Sequence, residues 1–130
     1  MERAVETTLQ RVALLDLFLT VPFALPIVAP AVVQAIVWID RTLGLATPMD
    51  PLGNLGTFFL NLMGVLAVCW NGARAMTGSA ELGRIDVPAR GVVAALIVGY
   101  VVLGGVTPLL LFFVVTELGG ALVQGRVLFR

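Results

Sequence analysis

Two carboxylates interrupt stretches of this sequence that are otherwise apolar: Asp16, within residues 12–39, and Glu117, within residues 91–123. An ionisable group inside an apolar run long enough to cross a bilayer costs about 2.5 to 3.5 kcal/mol on insertion scales, so such groups turn toward a bundle interior and often mark a site. Asn61 lies in a third apolar run, where Asn54, Thr57, Gly64, Val68 and Asn71 recur with it at helical steps of three and four. Brought together, Asp16, Asn61 and Glu117 would form a pocket for a proton, a cation or a lipid-like ligand. Arg74, one turn after Trp70 and Asn71, is placed to neutralise either carboxylate, to bind a lipid phosphate or to snorkel to the interface. The same spacings also have a purely structural use. Small residues let helices approach, and Asn or Gln joins helices in lipid with bonds of about 0.6 to 2 kcal/mol, so Asn54, Thr57, Gly64 and Asn71 read equally as a packing seam. Glu117, Gly120, Ala121 and Gln124 repeat the pattern near the C-terminus.

Other chemistries are excluded or unsupported. There is no histidine, which removes imidazole metal sites, haem ligation through His and His-based triads. The lone Cys69 forms no intrachain disulfide or Cys-rich zinc site and reads as an inert packed thiol. No metal or cofactor is expected, and no catalytic set is evident; any enzymatic chemistry would rest on Asp16, Glu117 and the arginines. No basic tract interleaved with aromatics points to nucleic acid.

The elements that must position these residues follow from composition. Of 130 residues 59% are hydrophobic and 12% charged, and mean hydropathy is +1.04. In water such a chain would expose large apolar patches; in a bilayer that exterior is required. Eight acidic residues balance eight basic ones, all arginine. An Ala/Gly/Val/Leu-rich chain with arginine alone points to a bacterial source and so to the bacterial plasma (inner) membrane. Glu2 and Glu6 among the first residues, and prolines around Ala29, argue against a cleaved signal peptide.

A span needs about 20 apolar residues. The first candidate covers 12–39, with Pro22, Pro26 and Pro30 every four residues; each removes a backbone donor and clashes one turn back, so this span is kinked, unwound or re-entrant. The second covers 55–76, between the connection LATPMDPLGN and the polar loop RAMTGSAELGRIDVPAR. Residues 91–123 as one helix would reach about 50 Å, too long for one bilayer crossing. Gly104-Gly105-Val106-Thr107-Pro108 divides them, with Thr107 as N-cap and Pro108 at the first helical position. The expected fold is therefore an all-α integral membrane bundle of four transmembrane helices in one domain, with spans at about 12–39, 55–76, 89–104 and 107–125. With four spans, Arg3, Arg11, Arg74, Arg84, Arg90, Arg126 and Arg130 share one side and Arg41 is opposite, a positive-inside bias that sets both termini in the cytoplasm. Trp38 and Trp70 near span ends fit interfacial belts, and Tyr100 calls for a partner within the bundle.

GTFFLNLMG (Gly56, Thr57, Asn61, Gly64) resembles the second-helix pattern of the small four-helix fluoride channels, and GGVT (Gly104 to Thr107) resembles the start of their third-helix break. The resemblance implies a fluoride-type channel but is confined to those two pieces. The first span lacks that family's internal arginine, and PLLLFFVVTE stands in place of its pore phenylalanines, so no membership is claimed. The function expected from the residues is that of an accessory or structural membrane subunit, acting in the lipid bilayer through other membrane subunits or as a homo-oligomer. The alternatives are an oligomeric small transporter or ion channel using Asp16, Asn61 and Glu117, and a lipid-binding protein or enzyme.

Overall fold

The computed structural model describes residues 2–45, 47–49 and 52–129, and among them all regular structure is helical. The elements are α1 (Glu2–Ala24), α2 (Val28–Thr42), α3 (Asn54–Thr77), α4 (Ala80–Leu103), a 3-10 turn (Pro108–Leu110) and α5 (Leu111–Leu128). Asn54–Thr77, Ala80–Leu103 and Pro108–Leu128 are each long and apolar enough to cross a membrane, and the bent pair α1 and α2 makes a fourth candidate. Part of the connection LATPMDPLGN, at Ala46, Asp50 and Pro51, lies outside the described residues, as does Arg130.

The first segment departs furthest from a single kinked span over 12–39. Helix begins at Glu2, and α2 leaves α1 at 99°. The three prolines act differently. Pro22 is tolerated inside α1. Pro26 falls in the break; with no N–H it cannot bond the carbonyl of residue 22, and the helix stops. Pro30 is the third residue of α2, in the first turn where no N–H donor is needed. The turn closes through the Leu25 carbonyl, which accepts from the N–H groups of Val28 (3.0 Å) and Ala29 (2.9 Å). Because of this bend, Asp16 on α1 and Gln34 and Arg41 on α2 do not share a helix face.

The segment 74–90, expected as a polar loop, is helical except at Gly78 and Ser79. Gly78 ends α3 in the left-handed region (φ 57°), its N–H bonding the Arg74 carbonyl, and the Ser79 side chain accepts from the Leu82 N–H to start α4. This tight corner lets polar helix ends occupy what composition alone reads as loop. At the other end, Gly105 (φ 65°) and Thr107, whose hydroxyl accepts from the Leu109 N–H at 3.3 Å, turn the chain from α4 into α5 with Pro108 at the first position.

α1 packs antiparallel on α3, and α4 on α5; the N-terminus of α1, the α3–α4 corner and the end of α5 gather at one end of the bundle. The α1 backbone lies directly against α3 at Gly64, where an added Cβ would run into the Phe23 carbonyl group. One turn earlier Asn61 donates to the Phe23 carbonyl oxygen at 2.9 Å, an acceptor freed by the break at Pro26. The sequence seam of Asn61 and Gly64 thus seats the end of α1. Gly64→Ala is expected to destabilise the protein by about 1–3 kcal/mol, because the obstacle is backbone. Gly91→Ala, where an added Cβ meets nothing within 4 Å, should leave stability unchanged or slightly raised; unfolding in detergent followed by circular dichroism compares the two.

Candidate functional site

Four helices each send charged or amide side chains to one level of the bundle. α1 presents Asp16 and Thr20, α3 presents Trp70, Asn71 and Arg74, α4 presents Asp86 and Arg90, and α5 presents Glu117 and Gln124. Within each set residues recur at three, four or seven, apart from the adjacent pair Trp70 and Asn71, both of which lie one turn before Arg74, so each set looks to one side of its helix. Gly120, between Glu117 and Gln124, leaves room for the Arg90 guanidinium; a Cβ there would lie 2.4 Å from Nη1.

The two arginines organise the cluster. Arg74 donates through Nη1 to Asp16 Oδ2 (3.0 Å) and Asn71 Oδ1 (2.9 Å) and through Nη2 to Gln124 Oε1 (3.2 Å), and Nη2 makes an ion pair with Asp86 Oδ2 (2.8 Å). Arg90 donates through Nε to Asp86 Oδ2 (2.6 Å), through Nη1 to Glu117 Oε2 (3.1 Å) and through Nη2 to Asp16 Oδ2. Asp86 also accepts from the Trp70 indole N–H (2.9 Å) and from Gln124 Nε2 (2.9 Å). Asn71 Nδ2 reaches the Thr20 hydroxyl at 3.4 Å, and that hydroxyl donates to the Asp16 carbonyl at 2.8 Å. Among the described residues no buried side-chain nitrogen or oxygen lacks a partner.

The charges do not balance. Two guanidiniums face three carboxylates, leaving one negative charge in excess. The carboxylates differ in how well they are bonded. Asp86 accepts three hydrogen bonds and pairs with Arg74 besides, and Asp16 meets two arginines, whereas Glu117 receives one bond and has the most exposed side chain of the five, at 27%. Glu117 faces a cavity of about 310 Å³ that lies on the mid-bundle side of the cluster, walled by Leu19, Ala67 and Val93. Phe23 and Phe113, edge to face at 6.3 Å, line its far part. The charged layer thus separates this cavity from the end of the bundle that carries the termini. Among the described residues no group of carboxylates is arranged to hold a metal ion.

Of the residues singled out from sequence, Asp16, Arg74 and Glu117 come together here. Asn61 does not: its side chain is committed to Phe23 about two helical turns along α1 from Asp16. Of the seam residues, Asn71 joins the cluster, Gly64 forms the α1 contact, Thr57 lines a different cavity and Asn54 is exposed. Asp86, Arg90, Gln124 and the indole of Trp70 escaped sequence reading as site residues. Asp86 and Arg90 stand one turn apart as acid and base, a helical signal, but the surrounding Gly and Pro made the segment read as loop. Trp70 therefore faces inward rather than toward an interface. Cys69 is exposed rather than packed, and Tyr100, 63% exposed, faces outward; an apolar run does not tell the lipid-facing side of a span from the packed side.

No known protein family, curated protein or solved structure matches this chain.

Replacing Asp86 by Asn evens the count at two carboxylates and two guanidiniums, but it takes the charge from the best-bonded carboxylate and sets an amide, with one oxygen and an N–H donor, against Trp70, Gln124, Arg74 and Arg90. The expected cost is about 3–5 kcal/mol, as for breaking a buried ion pair from one side. Glu117→Gln removes the excess charge and keeps an acceptor for Arg90, so its stability should stay near or above that of the native protein. Parallel denaturation curves in detergent check both.

Proposed function

We propose that this chain is a small multi-pass membrane protein whose charged core takes up and releases a proton, giving it a transport-type role rather than a purely scaffolding one. The observation that carries this reading is the unbalanced carboxylate at Glu117, facing a cavity from within an otherwise fully bonded charge layer. In a medium of low dielectric constant an uncompensated charge is strongly disfavoured, so the layer is neutral when Glu117 holds a proton. A metal cation is a poorer fit, because Arg90 stands between Asp16, Asp86 and Glu117. Free guanidinium groups would favour an anion, and here both are consumed by carboxylates.

The orientation follows the same reading. Arg74 and Arg90 are turned inward and no longer count as loop charges, yet Arg3, Arg11, Arg84 and Arg126 still lie toward the terminal end of the bundle and Arg41 toward the other. This supports both termini in the cytoplasm, with the bent first pair counted as one span. The charge layer then lies in the cytoplasmic half, and protons exchange between the cytoplasm and the cavity through Glu117.

The accessory-subunit reading stands second. It is favoured by α4, where Gly91 and Gly99 have nothing within 4 Å of an added Cβ and Ala95 between them is exposed, a spacing suited to close helix packing in lipid.

In proteoliposomes carrying a pH-sensitive dye, the wild-type chain should dissipate an imposed proton gradient faster than empty vesicles do, and Glu117→Gln should return the rate to that of empty vesicles. Gly91→Leu with Gly99→Leu should leave the flux intact under the transport reading. Wild-type flux no faster than empty vesicles, or undiminished flux in Glu117→Gln, would overturn it. Loss of a co-purifying membrane subunit in the leucine variant would favour the second reading.

A further inference from the structure

At the end of the bundle away from the charge layer, a larger cavity of about 830 Å³ opens between α2, the start of α3 and the α4–α5 break. Four side chains with hydrogen-bond donors line it: Gln34, Trp38, Arg41 and Thr57. None of them bonds another side chain or the backbone among the described residues. The contrast with the rest of the chain is sharp for threonine. The hydroxyls of Thr7, Thr8, Thr20, Thr42, Thr47, Thr77, Thr107 and Thr116 all have partners, and that of Thr57 has none among the described residues.

The charge of the lining has one sign. Arg41 is its cation, and no carboxylate lines the cavity among the described residues. The neighbouring Asp40 is turned inward and completely buried, accepting from the N–H (2.9 Å) and hydroxyl (2.7 Å) of Thr47. The remaining wall is apolar, including Val33, Val37 and Leu52. α2 crosses from the axis of α1 at 99°, with Trp38 and Arg41 near its end, the residue types that settle at the headgroup level of a bilayer.

We propose that this cavity binds an amphiphile with an anionic, acceptor-rich head, held by Arg41 together with Gln34, Trp38 and Thr57, its acyl chain lying along Val33, Val37 and Leu52. The volume falls in the range of small-molecule sites. A phospholipid of the surrounding leaflet and a free fatty acid share this chemistry. The site is independent of the charge layer, which lies at the other end of the bundle.

Native mass spectrometry of the protein released from nanodiscs of mixed phosphatidylglycerol and phosphatidylethanolamine tests the proposal, with a parallel sample given oleate. The wild-type chain should retain one anionic amphiphile. Phosphatidylglycerol held in preference to phosphatidylethanolamine identifies a phospholipid, and oleate held in its place identifies a fatty acid. Arg41→Gln should weaken retention about tenfold and Thr57→Val about threefold, as expected for a charged and a neutral hydrogen bond. Arg126→Gln, at the opposite end, should have no effect. Equal retention by Arg41→Gln and wild type, no preference for the anionic lipid, or an equal loss in Arg126→Gln would each overturn the assignment.

Discussion

Three carboxylates and two guanidiniums in the interior of a helical bundle with an apolar exterior can persist only if every one of them finds a partner, since an unpaired charge away from water costs several kcal/mol. That requirement constrains the rest of the structure. Asp16, Arg74, Asp86, Arg90 and Glu117 come from α1, α3, α4 and α5, so each helix is held in rotation and height by contacts the other three complete. Trp70, Asn71 and Gln124 satisfy what the charges leave open. In lipid no hydrophobic force drives one helix against another, and a charge layer of this kind fixes a register that packing of Leu and Val would leave loose.

The glycines make that layer geometrically possible. Gly120 gives the Arg90 guanidinium room to lie on α5, Gly64 admits the backbone of α1, and at Gly83 an added Cβ would lie 3.0 Å from Leu128 and 3.1 Å from Leu9. Gly91 and Gly99 are of a different kind, since among the described residues nothing lies within 4 Å of a Cβ added at either. Residue type alone does not separate these uses; the separation comes from which helix face points inward.

The break at Pro26 divides the labour between the two ends of the bundle. Because the first segment turns by 99°, α1 carries Asp16 to the charge layer while α2 carries Trp38 and Arg41 to the opposite end. The cost of the break is a set of freed backbone groups, and Asn61 meets one of them at Phe23. The polar seam of α3 is therefore spent in sequence along its length: Thr57 on the far cavity, Asn61 and Gly64 on the break, Asn71 on the charge layer.

Composition and hydropathy alone determined that the chain has helices long and apolar enough to cross a membrane, because with 59% hydrophobic residues its apolar runs reach the length of a span. Turn chemistry also determined the α4–α5 break, since Gly105, Thr107 and Pro108 act through local backbone preferences that need no tertiary partner. Asp16, Arg74 and Glu117 were legible as site candidates because a charge in an apolar run is conspicuous by itself. Asp86 and Arg90 were not, because next to Gly78, Gly83 and Pro88 a charged pair reads as solvated loop, and only packing against α1 and α5 makes those charges interior. Which faces point inward, the exclusion of Asn61 from the site and the excess of one carboxylate at Glu117 are likewise tertiary outcomes: they depend on the rotation of four helices about their axes, and a helical period gives the spacing of residues on a face without giving the direction that face looks.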